Sequence, residues 1–204
     1  MEAAEIHFVP LDVEPSRLRD LTSLLTGEEH ERSARFKFDR HRNRFIACRG
    51  ALRHLLDMKP GQNFIYGPYG KPALDGSEIR FNVSHSYDMG MIAITRGKEI
   101  GCDIERIEPS FAELGIPERF FSPYEVAALL TLPAEEQCAA FFRCWTRKEA
   151  YIKACGMGVS LPLDSFDVTL APGESAAFLR GADGWILHDV QAPEGYQAAL
   201  VVAN

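Results

Sequence analysis

Residues 79–105 read IRFNVSHSYDMGMIAITRGKEIGCDIE, and this stretch decides the fold. Its apolar residues alternate or run together as they do in strands, which predicts strands at 79–84, 89–95 and 99–105. Arg96-Gly97-Lys98 separates the last two and has the composition of a hairpin turn. We therefore expect these strands to pair in small antiparallel sheets at the centre of the chain.

Helical patterns precede and follow this stretch. A broad apolar stripe predicts one helix over 28–57, ended by Pro60-Gly61, and a second long helix over 134–155, ended by Gly156. Ser122-Pro123-Tyr124-Glu125 predicts another helix start, with serine as the cap and glutamate three residues later. Shorter elements are expected at 6–9, 15–25, 64–66, 166–170, 176–179, 186–190 and 198–202.

Helices followed by antiparallel strands thus occur twice, with the midpoint near residue 100. We predict an α+β protein of two similar halves, residues 1–100 and 101–204, each a long helix packed on a small antiparallel sheet. No Ser- or Gly-rich linker separates the halves. We therefore expect them to pack tightly against each other.

The composition is that of an ordinary globular protein, with 46% apolar and 25% charged residues among 204. No apolar run approaches the ~20 residues of a spanning helix, and the N-terminus lacks a signal-peptide pattern. We expect a cytoplasmic protein without membrane contact, acting as a monomer. The five cysteines form no C-x-x-C pair, which argues against a disulfide framework and a zinc site.

The net charge of −7 conceals a basic stretch. Residues 32–53 contain eight of the 22 Lys and Arg residues, opposed only by Asp39. A local basic stretch on an acidic protein indicates a site for a compact anion, whereas nucleic-acid binders are usually basic overall. The eight basic residues are Arg32, Arg35, Lys37, Arg40, Arg42, Arg44, Arg49 and Arg53.

Two acidic residues stand out in Gly101-Cys102-Asp103-Ile104-Glu105. On a strand, Asp103 and Glu105 project from the same face while Ile104 turns into the core. Adjacent carboxylates repel, and an all-oxygen ligand set suits Mg²⁺. The alternative is a solvated strand face.

A second set of polar residues follows helical spacing in 145–153, WTRKEAYIK. Trp145, Glu149 and Lys153 lie at i, i+4 and i+8 on one stripe, flanked by Lys148 and Ile152. A carboxylate and an ammonium beside an aromatic ring can bind a metal and a phosphate together. The alternative is an ordinary Glu–Lys pair on an exposed helix face.

Two short motifs complete the set of candidates. Ser84-His85-Ser86 follows a predicted strand, where hydroxyls and an imidazole can bind phosphate oxygens or sit satisfied in a turn. A Ser-His nucleophile pair is disfavoured because neighbouring side chains diverge in an extended strand, and no G-x-S-x-G elbow is present. Gly70-Lys71-Pro72 presents a lysine at a turn.

Together and in this order, these segments resemble the Sfp-type 4′-phosphopantetheinyl transferases. The resemblance covers roughly residues 26–170. Its matching segments are GKP at 70–72, FNVSHS at 81–86, GCDIE at 101–105, FRCWTRKEAYIK at 142–153 and GMGVSLPLDSF at 156–166.

The resemblance implies a reaction and a fold. The enzyme would move the phosphopantetheine arm of coenzyme A to a serine of an apo acyl or peptidyl carrier protein, releasing 3′,5′-ADP. The fold would be a pseudo-dimer with coenzyme A in the cleft between its halves. Mg²⁺ would be held by Asp103, Glu105 and Glu149, with Glu149 also a candidate to activate the serine hydroxyl.

It also implies contacts to the co-substrate. Lys153 would stabilise phosphate charge or protonate the leaving group, so Glu149, Lys153 and Asp103 form the expected catalytic set. Ser84 and His85 would contact the 3′-phosphate and pyrophosphate side. Further contacts would come from Lys71 near the adenine and ribose, and from Arg32 and Arg44 at the 3′-phosphate.

The chain departs from the family pattern at two positions. Glu29 stands where many relatives place a lysine, which implies a differently built 3′-phosphate site. Cys102 replaces an aliphatic residue and is compatible with a buried position. Carrier docking is expected around residues 111–121, on apolar side chains with nearby arginine.

Two other functions compete with transfer. A protein that kept the fold could bind coenzyme A or a carrier domain without transferring the arm. A metal-dependent phosphodiesterase or nuclease could use the same carboxylates, but it would be expected to show further His or Asp clusters for a second metal. The sequence shows no such cluster.

Overall fold

The computed structural model describes residues 4–109 and 115–204. Its helices are α1 (Pro15–Ser23), α2 (Gly27–Ala34), α3 (Asp39–Leu55), α4 (Pro117–Phe120), α5 (Pro123–Thr131) and α6 (Ala134–Cys155), with short 3₁₀ helices at Gly158–Ser160 and Leu163–Ser165. Its strands are β1 (Glu5–Pro10), β2 (Ile65–Tyr66), β3 (Pro72–Ala73), β4 (Ile79–Ser86), β5 (Met89–Arg96), β6 (Ile100–Arg106), β7 (Asp167–Val168), β8 (Phe178–Arg180), β9 (Trp185–Asp189) and β10 (Tyr196–Ala203).

Two three-stranded antiparallel sheets form the framework. The first has the order β1-β5-β4 and the second the order β6-β10-β9, while β2-β3 and β7-β8 are two-stranded ribbons. The chain leaves the first sheet at the end of β5 and enters the second at Ile100. The predicted α+β class of helices with small antiparallel sheets is confirmed, and the division at residue 100 stays a prediction.

Each large sheet is covered by a long helix. Leu52 of α3 packs with Phe81 and Ile92 of the first sheet, and the helix α6 packs with Ala199 and Val201 of the second. Burial of such apolar side chains is the main stabilising contribution to a core. Each helix thereby covers one face of its sheet and leaves the opposite face for contact with the other sheet.

The remaining faces of the two sheets pack on each other. Met91 and Ala93 of β5 share one buried cluster with Cys102 and Ile104 of β6 and with Leu200 of β10. These five side chains are less than a twentieth exposed. The two three-stranded sheets are therefore joined by a common apolar core.

Helix ends follow the capping rules. Ser122 accepts a hydrogen bond from the backbone N–H of Glu125, whose side chain accepts from the N–H of Ser122, which confirms the predicted start of α5. Helix α6 ends at Gly156, whose φ of 66° is the left-handed cap conformation that glycine adopts readily. The predicted extent of this helix, 134–155, is confirmed.

The prediction of one helix over 28–57 is wrong. The backbone turns between α2 and α3, where Phe38 is extended with φ −110° and ψ 133°. This turn allows α2 to fold back on α3, so that the rings of Phe36 and Phe45 lie 5.4 Å apart. Tertiary packing across the turn overrides the continuous helical pattern.

Lys148 also differs from its expected place beside the polar stripe. It is fully buried, and its Nζ lies 2.7 Å from Oε2 of the equally buried Glu125. It also donates to the carbonyl oxygens of Leu163 and Phe166, 2.6 and 2.7 Å away. Lys148 therefore ties α6 to α5 and to the segment before β7.

Among the described helices, none is both long and apolar enough to cross a membrane.

Candidate active site

The acidic pair on β6 lies where the second sheet meets β4 of the first sheet. Asp103 is only 1% exposed and Glu105 is half-buried, while Ile104 between them is fully buried in the shared core. The period of two in a strand places both carboxylates on the side that faces β4. The predicted common orientation of Asp103 and Glu105 is confirmed.

Strand β4 contacts β6 through polar side chains at every second residue. Asn82 accepts from the backbone N–H of Cys102 at 2.9 Å, Ser84 donates to Asp103 Oδ1 at 2.7 Å, and Ser86 donates to Glu105 Oε2 at 2.6 Å. The prediction ended this strand at residue 84, but the strand continues through Ser86. Because of this extension, Ser86 lies on the same face of β4 as Ser84 and contacts the acidic pair of β6.

Helix α6 supplies the third side of the site. Nζ of Lys153 lies 2.5 Å from Asp103 Oδ1 and 2.9 Å from Ser84 Oγ. The helix can approach this closely because Gly101 has no side chain; a Cβ there would lie 2.1 Å from the carbonyl oxygen of Ala150. Glycine at this position therefore sets the distance between strand and helix.

The site carries an excess of negative charge. Burial, followed by the charge of Asp103, raises the pKa of Glu105 to about 7 and raises that of Glu149 in the same direction. Burial alone would lower the pKa of Lys153, but the adjacent Asp103 raises it overall. Three carboxylates thus face one ammonium, an arrangement that attracts a further cation.

The negative charge of these residues suits a divalent cation, and one carboxylate oxygen is free to bind it. Asp103 Oδ2 is buried and has no hydrogen-bond partner among the described residues, so it has a free oxygen ligand to offer. In the part of the chain that the structure describes, however, no three His, Cys, Asp or Glu side chains form a ready-made metal cluster. The site has the donor chemistry of an Mg²⁺ site without a preassembled ligand shell.

A cavity of about 590 Å³ adjoins these residues, and we call it the central cavity. Partial desolvation and then the charge of Lys153 lower the pKa of His85, which lines this cavity. The wall is mixed, with basic, aromatic and apolar side chains. Its residues are Leu11, Arg32, Phe36, His41, Arg44, Phe45, Cys48, Arg49, Leu52, Tyr66, Gly70, Pro72, Asn82, Val83, His85 and Tyr87.

Arg32, Arg44 and Lys71 are predicted to contact coenzyme A, and the structure places each of them in a different environment. Arg32 lines the central cavity and places its guanidinium over the ring of Phe45, 5.4 Å from the centroid. Arg44 also lines it, but its Nε and Nη2 donate to both oxygens of Asp12 at 2.7 and 2.6 Å. That bidentate pair lowers the pKa of Asp12 and occupies most of the Arg44 fork.

Lys71 lies outside the lining of the central cavity, although Gly70 and Pro72 belong to it. Its Nζ donates to Glu99 Oε2 at 3.0 Å, to the carbonyl of Ile100 at 2.9 Å and to that of Ala154 at 3.0 Å. These acceptors use all three ammonium hydrogens. The lysine therefore joins the β2-β3 loop to β6 and α6.

Sequence reasoning missed several residues that the structure brings to the site. Asn82 was not assigned a role, and Ser86 was considered only as a hydroxyl that could bind phosphate, although strand alternation through residue 86 would have put both on the face of Ser84. Arg49 was one of eight basic residues without distinction. Trp145, by contrast, was predicted to share a stripe with Glu149 and Lys153, but it packs against Phe120 and Phe141 at the edge of the core, with ring centroids 5.9 and 6.2 Å away.

Part of the expected carrier-docking segment, residues 111–114, lies outside the described residues. In the described remainder, Phe120 is exposed and Phe121 is buried in the core of the second half. Arg119 lies over the ring of Phe120, 5.7 Å from its centroid.

Comparisons with known proteins show which family the chain resembles. A model of the 4′-phosphopantetheinyl transferase superfamily matches residues 99–201. The chain is 39% identical to the 4′-phosphopantetheinyl transferase HetI of Nostoc, over 98% of this chain and 88% of that protein. It is 32% identical to a 4′-phosphopantetheinyl transferase of Bacillus subtilis, over 90% of this chain and 84% of that protein.

Among solved structures, a holo-(acyl-carrier-protein) synthase from Bacillus anthracis in complex with CoA (3′,5′-ADP) matches with a TM-score of 0.42 and 22% identity. The match covers 52% of this chain and 94% of that one.

Proposed function

The chain belongs to the 4′-phosphopantetheinyl transferase superfamily, and from that membership and its site we propose that it transfers the phosphopantetheine arm of coenzyme A to a carrier-protein serine. The observation that carries the proposal is the meeting of Asp103, Ser84 and Lys153 beside a basic cavity. These acidic and basic groups come together from β4, β6 and α6, and a pyrophosphate bound there would need both a cation and an ammonium.

Coenzyme A is proposed to lie along the central cavity. Its pyrophosphate would be held at the end lined by His85, close to Lys153, and its nucleotide would extend toward the arginines. Arg32 keeps an exposed guanidinium for a phosphate, whereas Arg44 would act mainly through its charge because Asp12 holds its fork. Lys71 would shape the loop Gly70–Pro72 that borders the cavity.

The reaction is proposed as an in-line substitution at the β-phosphorus. The bond from the carrier serine oxygen to phosphorus forms while the bond to the oxygen of the departing 3′,5′-ADP breaks. Lys153 lies where it can neutralise charge on the leaving phosphate or donate a proton to it. Glu149 is the candidate base for the serine proton, directly or through a water, and burial raises its pKa above the ordinary value, which makes it a stronger base.

Mg²⁺ is the proposed metal, held by Asp103, Glu105 and Glu149 and by substrate oxygens. When bound, it would act as a Lewis acid that offsets phosphate charge. Support comes from the unpartnered Asp103 Oδ2 and from the raised pKa values of the two glutamates. The role of each residue, monomeric action, the cytoplasmic location and the lack of nucleic-acid or membrane partners stay predictions.

Mass spectrometry of a carrier domain tests the proposal. The protein, coenzyme A and Mg²⁺ are mixed with an apo carrier, and the carrier is expected to gain one phosphopantetheine arm. A carrier with serine changed to alanine is expected to gain nothing, and excess EDTA is expected to stop the reaction. Saturable coenzyme A binding with no gain on any of several carriers would point instead to a binding protein.

A further inference from the structure

The loop between β2 and β3 packs against the C-terminal end of α6. The loop is closed on itself, because the backbone N–H of Gly67 donates to the carbonyl oxygen of Lys71 at 2.9 Å. A Cβ on Gly158, just after the helix, would come 3.8 Å from the Cβ of Tyr69 in the loop. A Cβ on Gly156 would come 3.4 Å from Lys71 Cδ, so the stem of the lysine runs along the glycine that ends the helix.

Lys71 makes polar contacts from this loop to the two elements that carry the site. Its Nζ lies 2.9 Å from the carbonyl oxygen of Ile100, the first residue of β6, and 3.0 Å from that of Ala154, in the last turn of α6. Ile100 stands three positions before Asp103, and Ala154 directly follows Lys153. One ammonium therefore bridges the start of the strand that carries Asp103 and the end of the helix that carries Lys153.

The carbonyl groups at the end of α6 lack donors within the helix. This holds for the last four carbonyl oxygens of any helix, and the helix dipole makes the same end negative. Here the backbone N–H of Gly156 donates to the carbonyl oxygen of Lys153, and Lys71 supplies the donor for Ala154. The ammonium thus stabilises the last turn both by a hydrogen bond and by its charge.

The ammonium of Lys71 has no hydrogen left for a ligand. Its third hydrogen bond goes to Glu99 Oε2 at 3.0 Å, so its three hydrogens are matched by three acceptors. Its side chain is 19% exposed and lies outside the lining of the central cavity, whereas Tyr66, Gly70 and Pro72 belong to that lining. A lysine in this environment can act on the site through the backbone that it holds.

From these contacts we propose that Lys71 is a positioning residue of the reaction, which sets the place of Lys153 relative to Asp103. The inference rests on the proposed function for the reaction itself. Without the bridge, the last turn of α6 frays, and Nζ of Lys153 is no longer kept beside Asp103 Oδ1 and Ser84 Oγ. Because the loop also borders the central cavity, the same lysine connects the cavity wall to the catalytic side chains.

Separate measurements of turnover and binding test the proposal. Lys71→Met keeps the stem and loses the ammonium, so we expect kcat for transfer to fall by about 10- to 100-fold, as it does when a catalytic group is displaced by about 1 Å. The Kd of coenzyme A, measured by calorimetry without a carrier, should stay within about 3-fold of wild type. Lys71→Arg keeps charged donors for the two carbonyl oxygens and should restore kcat to within about 5-fold of wild type.

Lys59→Met is the matched control, because it removes an exposed lysine outside the lining of the central cavity. It should leave kcat and the Kd of coenzyme A as in wild type. All assays are run below the melting temperature of each variant, and Lys71→Gln replaces Lys71→Met if the latter is unfolded.

Amide hydrogen exchange reports on the end of α6 without any transfer step. Peptides that cover the last turn of α6 should exchange at least about 10-fold faster in Lys71→Met than in wild type, while those from α3 should not change. Unchanged exchange there would overturn the proposal, as would a coenzyme A Kd weakened more than about 10-fold with kcat unchanged, which would make Lys71 a co-substrate contact. If wild type transfers nothing, the proposed function fails, and the exchange result still decides whether Lys71 holds the helix end.

Discussion

At the scale of residues, the site depends on hydroxyl groups as well as on carboxylates. Ser84 and Ser86 each donate one short hydrogen bond to an acidic residue of β6, and Ser86 also accepts from the backbone N–H of Arg106 at 3.2 Å. Each hydrogen bond thus keeps a carboxylate that would otherwise rotate, that of Asp103 or Glu105, turned toward β4. Such outer contacts tune a metal site because they orient its ligands before the metal arrives.

Ser86→Ala should therefore weaken the proposed metal site more than the reaction itself. We expect the Mg²⁺ concentration for half-maximal rate to rise about 10-fold, with kcat at saturating Mg²⁺ nearly unchanged, because Glu105 loses its orienting donor. Direct titration with Mn²⁺ followed by electron paramagnetic resonance should show the same loss. Ser165→Ala, which removes an exposed hydroxyl bonded to Pro162, is the control; equal Mn²⁺ affinity in both variants would contradict the assignment.

At the scale of elements, one strand and one helix set the geometry of the site. Gly101 of β6 lies against the backbone of α6, and a Cβ would meet Ala150 O at 2.1 Å and Ala154 N at 2.2 Å. Backbone atoms of a helix cannot move aside as a flexible side chain can. The distance from β6 to Glu149 and Lys153 is therefore fixed by the absence of a side chain.

Gly101→Ala is expected to separate β6 from α6. The change should lower the free energy of unfolding by at least about 2 kcal/mol, measured in urea, because overpacking forces the backbone to shift. Transfer should fall further than stability alone requires, since Asp103 moves away from Lys153. Gly27→Ala offers a control at an open position, with nothing within 4 Å of its added carbon; if both variants behaved alike, the close contact would not matter.

The sequence predicted the starts and ends of helices well where local rules determine them. The start of α5, the full extent of α6 and its glycine stop follow from capping and periodicity, which are local. It failed at the turn between α2 and α3, because the helical pattern of residues 28–57 runs on and only packing of Phe36 on Phe45 favours the break. The basic stretch indicated an anion site, but not that Asp12 holds the guanidinium of Arg44, because the two residues are 32 positions apart.

At the scale of the whole molecule, polar contacts join the two sheets and their helices around the common core. Lys71, between β2 and β3, donates to the carbonyl oxygens of Ile100 in β6 and Ala154 in α6. A second contact comes from Tyr196 of β10, whose Oη donates at 2.7 Å to Oδ1 of Asp88, in the turn between β4 and β5. Such contacts between residues far apart in sequence were not predictable from local pattern.

The Tyr196–Asp88 contact predicts a pH dependence. The hydrogen bond from Tyr196 lowers the pKa of Asp88, so its stabilisation is present above the unfolded pKa near 3.8 and is lost as pH falls through the lower folded value. Tyr196→Phe should cost about 1 kcal/mol at pH 7 and less near pH 2, where Asp88 is more protonated. Urea unfolding at both pH values checks this, with exposed Tyr124→Phe as the control; an equal cost at both would contradict it.

The most direct measurement follows the carrier and the leaving group in one reaction. Wild type, Glu149→Gln and Glu135→Gln, an exposed glutamate at the start of the same helix, are each given apo carrier, coenzyme A and Mg²⁺. We predict that wild type and Glu135→Gln load one arm on the carrier serine for each 3′,5′-ADP released, and that Glu149→Gln is at least about 100-fold slower. Full activity of Glu149→Gln, or 3′,5′-ADP released without loaded carrier, would contradict the account.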